Sequence, residues 1–335
     1  MEENLLNKPR HAAFAFCLLC AGASAADFTV LPYFQTSLYS GTAWRDRALV
    51  GGLYASLDWN LAHSLAISAD YSSLGGRTNR LFGDWNLTAR YEHRAPSGWR
   101  WQLGAHLSPA TTVGAPSGSV ATNAPAGFAP ALMSAPSGPG PGPVTRPGPT
   151  SAAGNPASPS GIATPATVAL FTGLHRDAPA HWSLGVDTSV VLIPNGTSMA
   201  GVFQGTGIAG FTLGDRLIHR AYFESSLTYL YATPGLVDGH TNLFSIGQSV
   251  RIDLGAFSLS AWGWTGERAY ALTQSGFTFY NSSDLYRGGV GFSVGVTAAK
   301  VLRIEAGLGA EWLTESTTGN AASSLTPYVT LSLSF

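Results

Sequence analysis

Residues 99–108, WRWQLGAHLS, place Trp99, Trp101, Leu103, Ala105 and Leu107 on one face of an extended chain and Arg100, Gln102, Gly104, His106 and Ser108 on the other. Leu302 to Trp312 repeats the pattern, with Leu302, Ile304, Ala306, Leu308, Ala310 and Trp312 against Arg303, Glu305, Gly307, Gly309 and Glu311. Fourteen segments alternate in this way, roughly 27–39, 46–59, 63–74, 83–94, 99–110, 166–176, 181–193, 203–213, 217–232, 242–253, 256–268, 285–297, 300–313 and 323–335. Most run ten to fourteen residues, closer to the ~9–11 of a tilted membrane strand than to the ~5–6 of a globular one. A strand with one apolar and one polar face needs a different solvent on each side.

The remaining sequence restricts what those solvents are. Lys8 and Arg10 precede an apolar run from Ala12 to Gly22, and Ala23-Ser24-Ala25 is a small-x-small cleavage site, so residues 1–25 read as an export signal. A lipoprotein reading of Leu18-Leu19-Cys20 puts a leucine where a small residue belongs. Cys17 and Cys20 are the two cysteines, and both would leave with the signal, so a mature chain from 26–335 carries no disulfide or thiolate site. No run of eighteen apolar residues exists to form a spanning helix. Only 11% of residues are charged and the net charge is −1, which removes the basic field a nucleic-acid partner would need. Export without an anchoring helix leaves a soluble periplasmic or secreted protein, or a membrane β-barrel.

Connection lengths choose the barrel. Short turns follow the even strands, at 60–63, 95–98, 177–180, 214–216, 254–255 and 298–299, whereas longer loops follow odd ones, such as Gly75–Phe82, Pro194–Val202, Pro234–Thr241 and Ala269–Asp284. An all-β, antiparallel transmembrane barrel of fourteen strands is the expected fold, with short periplasmic turns and long extracellular loops. Outward aromatics fall into two girdles: Trp59, Tyr91, Trp99, Trp101, Trp182 and Phe335 at the short-turn ends, and Tyr71, Trp85, Tyr229, Tyr231, Tyr286 and Trp312 at the long-loop ends.

The chain ends on YVTLSLSF, in which Val329, Leu331, Leu333 and Phe335 alternate with small polar residues. This resembles bacterial outer-membrane β-barrel proteins, whose last strand finishes on an aromatic preceded by alternating apolar residues. The resemblance covers the mature chain as architecture and names a superfamily, not a transport specificity. It implies the outer membrane of a Gram-negative bacterium, with surrounding lipid and the barrel-assembly machinery as partners, the latter reading Val329, Leu331, Leu333 and Phe335. Residues 111–165 are rich in Pro, Gly, Ala and Ser, with GPGPGP at 138–143 and Arg146 as their one charge. In general porins the loop after the fifth strand folds inward and narrows the channel. The loop 111–165 occupies that place but lacks the acidic residues of such constrictions, so a disordered or surface-displayed external loop is the expectation and inward folding the alternative.

Two segments resist simple alternation. Gln248 shares a face with Phe244, Ile246, Val250 and Ile252, which turns it toward lipid. In 256–268, Phe257, Leu259 and Ala261 outward would send Trp262 and Trp264 into the lumen; a bulge that flips the second half outward is the expectation, with a pore-lining pair as the alternative.

Charged side chains belong on the inner wall, since Arg or Lys facing lipid at the midplane costs about 2–4 kcal/mol. Arg90, Arg94, Arg100, Arg220, Arg251 and Arg303 project inward in the periplasmic half, with Glu92, Glu224, Asp253 and Glu305 at comparable depth. Arg47, Asp70, Asp84, Arg287 and Glu311 fall near the outer mouth. Such a collar can brace the wall, favour anions weakly, or do both.

No catalytic motif sits in its required context. GTGIAG at 205–210 matches a dinucleotide fingerprint with no helix to follow it. GFSVG at 291–295 matches a nucleophile elbow but alternates as a strand, with Ser293 between two glycines. The histidines form no HExxH, so neither cofactor nor metal is expected. The expected function is a passive channel for small hydrophilic solutes. Uptake of hydrophobic compounds is the alternative, although strand one begins two residues past the cleavage site and leaves no room for the N-terminal plug of such transporters. A barrel anchoring a display loop is a third reading. The oligomeric state is open, with a monomer favoured.

Overall fold

The computed structural model describes residues 26–42, 45–59, 62–76, 81–109, 166–177, 182–195, 198–214, 219–237, 239–273, 277–280, 284–299, 301–316 and 318–335. The signal at 1–25 and the loop at 111–165 lie outside these. Eleven strands come first: β1 (Ala26–Ser40), β2 (Arg45–Trp59), β3 (His63–Gly76), β4 (Leu81–Arg94), β5 (Trp99–Ser108), β6 (Thr167–Asp177), β7 (Trp182–Asn195), β8 (Ser198–Gly214), β9 (His219–Ala232), β10 (Asn242–Leu254) and β11 (Phe257–Arg268). A two-residue hairpin, β12 (Leu272–Thr273) and β13 (Thr278–Phe279), precedes β14 (Leu285–Ala299), β15 (Leu302–Thr314) and β16 (Ala321–Ser334). Fourteen of these form a closed antiparallel barrel in which each strand pairs with its neighbours in sequence, and β1 pairs with β16. The seam is fastened at its periplasmic end by reciprocal backbone bonds, Phe28 N to Phe335 O at 3.1 Å and Phe335 N to Phe28 O at 2.8 Å.

Closure removes every sheet edge, which is the condition for placing a sheet in hydrocarbon, where an unpaired backbone group costs several kcal/mol. The outer surface supplies the second condition. Phe34, Leu103, Leu227, Phe292 and Val329 stand exposed, and each of the fourteen strands contributes at least one large apolar side chain of this kind. A soluble monomer rarely exposes an apolar patch beyond about 300–600 Å². A continuous apolar belt around a cylinder is a lipid-facing surface, so the fold is a transmembrane β-barrel. Arginine in place of Val329, five residues from the end of β16, is expected to destabilise the barrel by about 2–4 kcal/mol, read as a lower urea midpoint in lipid vesicles.

Trp262, Trp264 and Tyr286 in the wall, and Arg47 at the outer rim, depart from the expected orientation. The register of β11 with β10 runs unbroken from Phe257 to Gly266, and its register with β14 shifts only between Thr265 and Arg268. The bulge therefore lies beyond the tryptophans instead of before them, and Trp262 and Trp264 both face the lumen. Tyr286, expected in the outer girdle, is fully buried inside. A register shift between Tyr286 and Gly288 turns it inward. The other girdle residues keep their outward parity, including Trp85, Trp101, Trp182 and Trp312. Gln248 does face outward, at the midpoint of β10, and its Oε1 accepts a bond from Ser225 on β9 at 3.1 Å.

Candidate functional site in the barrel lumen

The inner wall changes character with depth. Toward the outside one side of it is apolar, where Val191 and Ile193 of β7, Val202 of β8, Leu230 of β9, Leu243 of β10, Leu285 of β14 and Leu313 of β15 form one buried cluster, while Ser37 of β1, Asp70 and Ser72 of β3 and Ser108 of β5 are buried there on the other side. Toward the periplasm it is made of Ser, Thr, Tyr and charged residues.

The outer cluster is completed by a loop that the chain folds into its own lumen. After Arg268, the described residues 269–273 and 277–280 lie inward; Ala269, Tyr270, Ala271, Leu272 and Tyr280 are buried in the same cluster as the wall. Tyr270 adopts φ 49°, a left-handed conformation that side-chain-bearing residues seldom take, where the chain leaves the wall. Within the loop, Tyr280 N donates to Ala271 O at 2.7 Å. Three attachments then span the lumen. On β8, Gln204 mimics a neighbouring strand: its Oε1 accepts from Leu272 N at 2.8 Å and its Nε2 donates to Leu272 O. On β15, Glu311 Oε1 accepts from Tyr280 Oη at 2.8 Å. On the far wall, Phe277 meets the Tyr54 ring of β2 edge-on at 5.3 Å and lies under the Arg90 guanidinium of β4 at 4.8 Å.

The tryptophans belong to this assembly. Trp264 packs against Tyr280 at 6.3 Å and carries the Arg268 guanidinium over its ring at 4.0 Å. Arg268 is held there by a bond from its Nε to Ser245 Oγ at 2.8 Å. Trp262 lies opposite Gly291, where a Cβ would collide with its ring. The glycines of β14 thus make room for the aromatics of β11. The GFSVG motif falls within this continuous strand, and Ser293 faces Ser260 and Gly307 across its two ladders. GTGIAG likewise lies within β8.

The expected collar residues sit at the periplasmic end, gathered into clusters instead of a continuous ring. Arg94 and Arg100 stand directly opposite each other on β4 and β5. Glu92, buried between them, bonds Arg94 at 2.7 Å and Arg100 at 3.4 Å and lies 4.0 Å from Arg90. On β9 and β10, Asp253 pairs with Arg220 at 2.9 Å and Arg251 at 2.6 Å. On β15, Arg303 lies 3.4 Å from Glu305 and donates to Ser258 at 2.5 Å. Glu224 accepts from Tyr222 Oη at 3.0 Å. Sequence reasoning missed Asp177, 3.7 Å from Arg100, and Asp187, which accepts from Gln102 at 2.9 Å and contacts His175 at 2.8 Å. Both acids lie on the inward parity of β6 and β7, which was the available signal.

The outer-mouth residues divide. Asp70 is buried and accepts from Tyr33 Oη and Asn86 Nδ2, each at 3.1 Å. Glu311 anchors the loop. Arg287 pairs with Glu267 at the rim. Arg47 is exposed and stands opposite Leu38, on the outward side of the wall. Asp84 lies on β4, with its side chain outside the described set. At the C-terminus, Val329 and Phe335 are exposed, and Leu331 and Leu333 share their outward parity.

Fold and lumen together define a class: a closed fourteen-stranded transmembrane barrel whose lumen is entered by one of its own external loops. No protein-family profile matches the chain and no curated protein does. Among solved structures, it is similar to the CymD monoaromatic hydrocarbon channel, at 8% identity and a TM-score of 0.49 over 92% of this chain and 88% of that one. A FadL homologue from Pseudomonas aeruginosa gives 10% identity and a TM-score of 0.45 over 92% and 89% of the two chains. The NanC porin gives 8% identity and 0.42 over 90% and 98%. Likeness at this level describes a barrel and nothing finer.

Proposed function

We propose that this protein is a passive outer-membrane channel for small water-soluble solutes, and that the loop 269–284 is its constriction. One observation carries the reading. Among the described residues, the polar, periplasmic half of the lumen is capped from the outside by a loop held to the wall through hydrogen bonds and ring contacts. A lumen built only to brace a membrane anchor has no need of such a loop. Export by residues 1–25, assembly through the terminal aromatic strand and residence in lipid as a monomer complete the reading.

Single-channel recording in a planar bilayer tests it. Because five of the six collar arginines are paired with acids at 2.6–3.4 Å and Arg90 lies 4.0 Å from Glu92, a mobile ion meets little net field, and the reversal potential in a salt gradient is expected near zero. Folded protein that passes no current under any condition would end the channel reading.

Uptake of apolar compounds is the second reading, and Trp262 and Trp264 favour it. Both face inward beside the apolar cluster of the outer lumen, a lining that a purely hydrophilic path does not require. Permeation of toluene against that of a sugar of similar size separates the two.

A further inference from the structure

Phe277 at the tip of the inserted loop occupies a seat whose chemistry is more specific than holding a loop requires. Ser56, Ala66, Arg90 and Gly104 stand in register across β2, β3, β4 and β5. Ala66 and Gly104 therefore flank Arg90, and the Phe171 ring lies over Gly104. Tyr54, two residues toward the outside from Ser56, supplies a ring edge at 5.3 Å from the Phe277 centroid. The Arg90 guanidinium supplies a cationic face at 4.8 Å. Phe277 is 2% exposed, Tyr54 4% and Arg90 9%, so the seat is closed to water.

Arg90 is also under-used. Its ion pair with Glu92 is long, at 4.0 Å, because Glu92 is engaged more closely by Arg94 at 2.7 Å and Arg100 at 3.4 Å. Its Nε is buried and, among the described residues, has no hydrogen-bond partner. A buried guanidinium with an unspent N–H edge is costly for a wall to carry. The edge is shaped for a carboxylate, which accepts in the guanidinium plane. Ring seat and spare cation lie side by side, and the loop fills only the first.

We infer that the Phe277 seat is a binding site for small aromatic carboxylates, and that the loop's own phenyl ring holds the place of the solute ring when the channel is closed. The solute ring replaces Phe277 against Tyr54, and its carboxylate takes the Nε edge of Arg90. Solute and loop tip then compete for one site, so a solute that binds also holds the loop away. The route by which solute arrives rests on the channel reading; the seat itself does not.

Equilibrium binding to the purified full-length protein in detergent, by saturation-transfer NMR, tests the seat without requiring conduction. Benzoate is compared with acetate, which has the charge and no ring, and with benzyl alcohol, which has the ring and no charge. Benzoate is expected to bind at least about tenfold more tightly than either. Phe277→Ala, which leaves the wall untouched, removes the competitor and should tighten benzoate binding; Arg90→Gln should reduce benzoate to the level of benzyl alcohol. Should Arg90→Gln fail to fold, Arg90→Lys keeps the charge, loses the planar edge, and should lose most of the preference over benzyl alcohol. Equal binding of benzoate and acetate, weaker binding by Phe277→Ala, or an undiminished preference in either Arg90 variant would overturn the inference. A protein that binds benzoate as expected yet conducts nothing would sink the channel reading alone.

Discussion

Replacing residues 270–283 with a short Gly-Ser turn is expected to raise single-channel conductance severalfold while leaving the barrel folded. The strands on either side, β11 and β14, are paired directly through nine consecutive residues from Phe257 to Thr265, so the wall does not depend on the loop for closure. The loop does depend on the wall. Its attachments are the Gln204 amide on Leu272, the Glu311 carboxylate on Tyr280, and the Phe277 ring in its seat. Point variants grade the same effect. Gln204→Leu strands a buried N–H and a buried C=O of Leu272, at about 1–3 kcal/mol each, and the loss of even one of the two moves the open-to-closed ratio by about 5–150-fold. Conductance steps of unchanged amplitude but longer open dwell are therefore expected from Gln204→Leu, against larger steps from the deletion. A deletion variant that folds, shown by heat-modifiable migration, and conducts no better than the parent would mean that the loop does not obstruct the path.

The strands were legible because lipid outside and water inside impose a strict two-residue period. Expected and observed boundaries differ by three residues or fewer except at β8, which begins at Ser198 instead of 203. There Gly201, Gly205 and Gly207 dilute the apolar face. Parity could not be carried through bulges. Trp262, Trp264 and Tyr286 were misplaced because register shifts lie at the outer ends of the β11–β14 and β14–β15 pairs, and a bulge leaves no mark in composition. The collar was legible for the same reason as the strands, since charge is excluded from hydrocarbon. Its division into clusters was not, because partners such as Arg100 and Asp177 meet across strands far apart in sequence. The inward loop was the least legible feature, because its signal is quiet: Tyr270, Leu272, Phe277, Phe279 and Tyr280 fall within twelve residues, more apolar surface than an external loop has reason to carry.

Glu92→Gln is expected to be the most damaging single change to the wall. Glu92 is nearly inaccessible, at 1% exposed, and serves Arg94 and Arg100, which face each other directly across β4 and β5. Like charges directly opposite on a sheet repel, and removing the shared acid from a buried cluster takes the nearest counter-charge from both, leaving Arg100 with Asp177 at 3.7 Å, at about 3–5 kcal/mol. Arg94 remains partly open to the lumen, with its side chain 31% exposed, so water and counterions recover part of that, and the lower end of the range is expected. The loss should appear as a lower urea midpoint in vesicles with an unchanged slope. The same substitution frees positive charge toward the periplasmic mouth, so the reversal potential in a salt gradient should move in the anion-selective direction. Adding Arg100→Met removes one of the opposed cations and should restore much of the stability and most of the neutrality. If Glu92→Gln alone costs less than the lipid-facing Val329→Arg, the collar is not what braces this half of the barrel, and its arginines would have to be explained by what passes them.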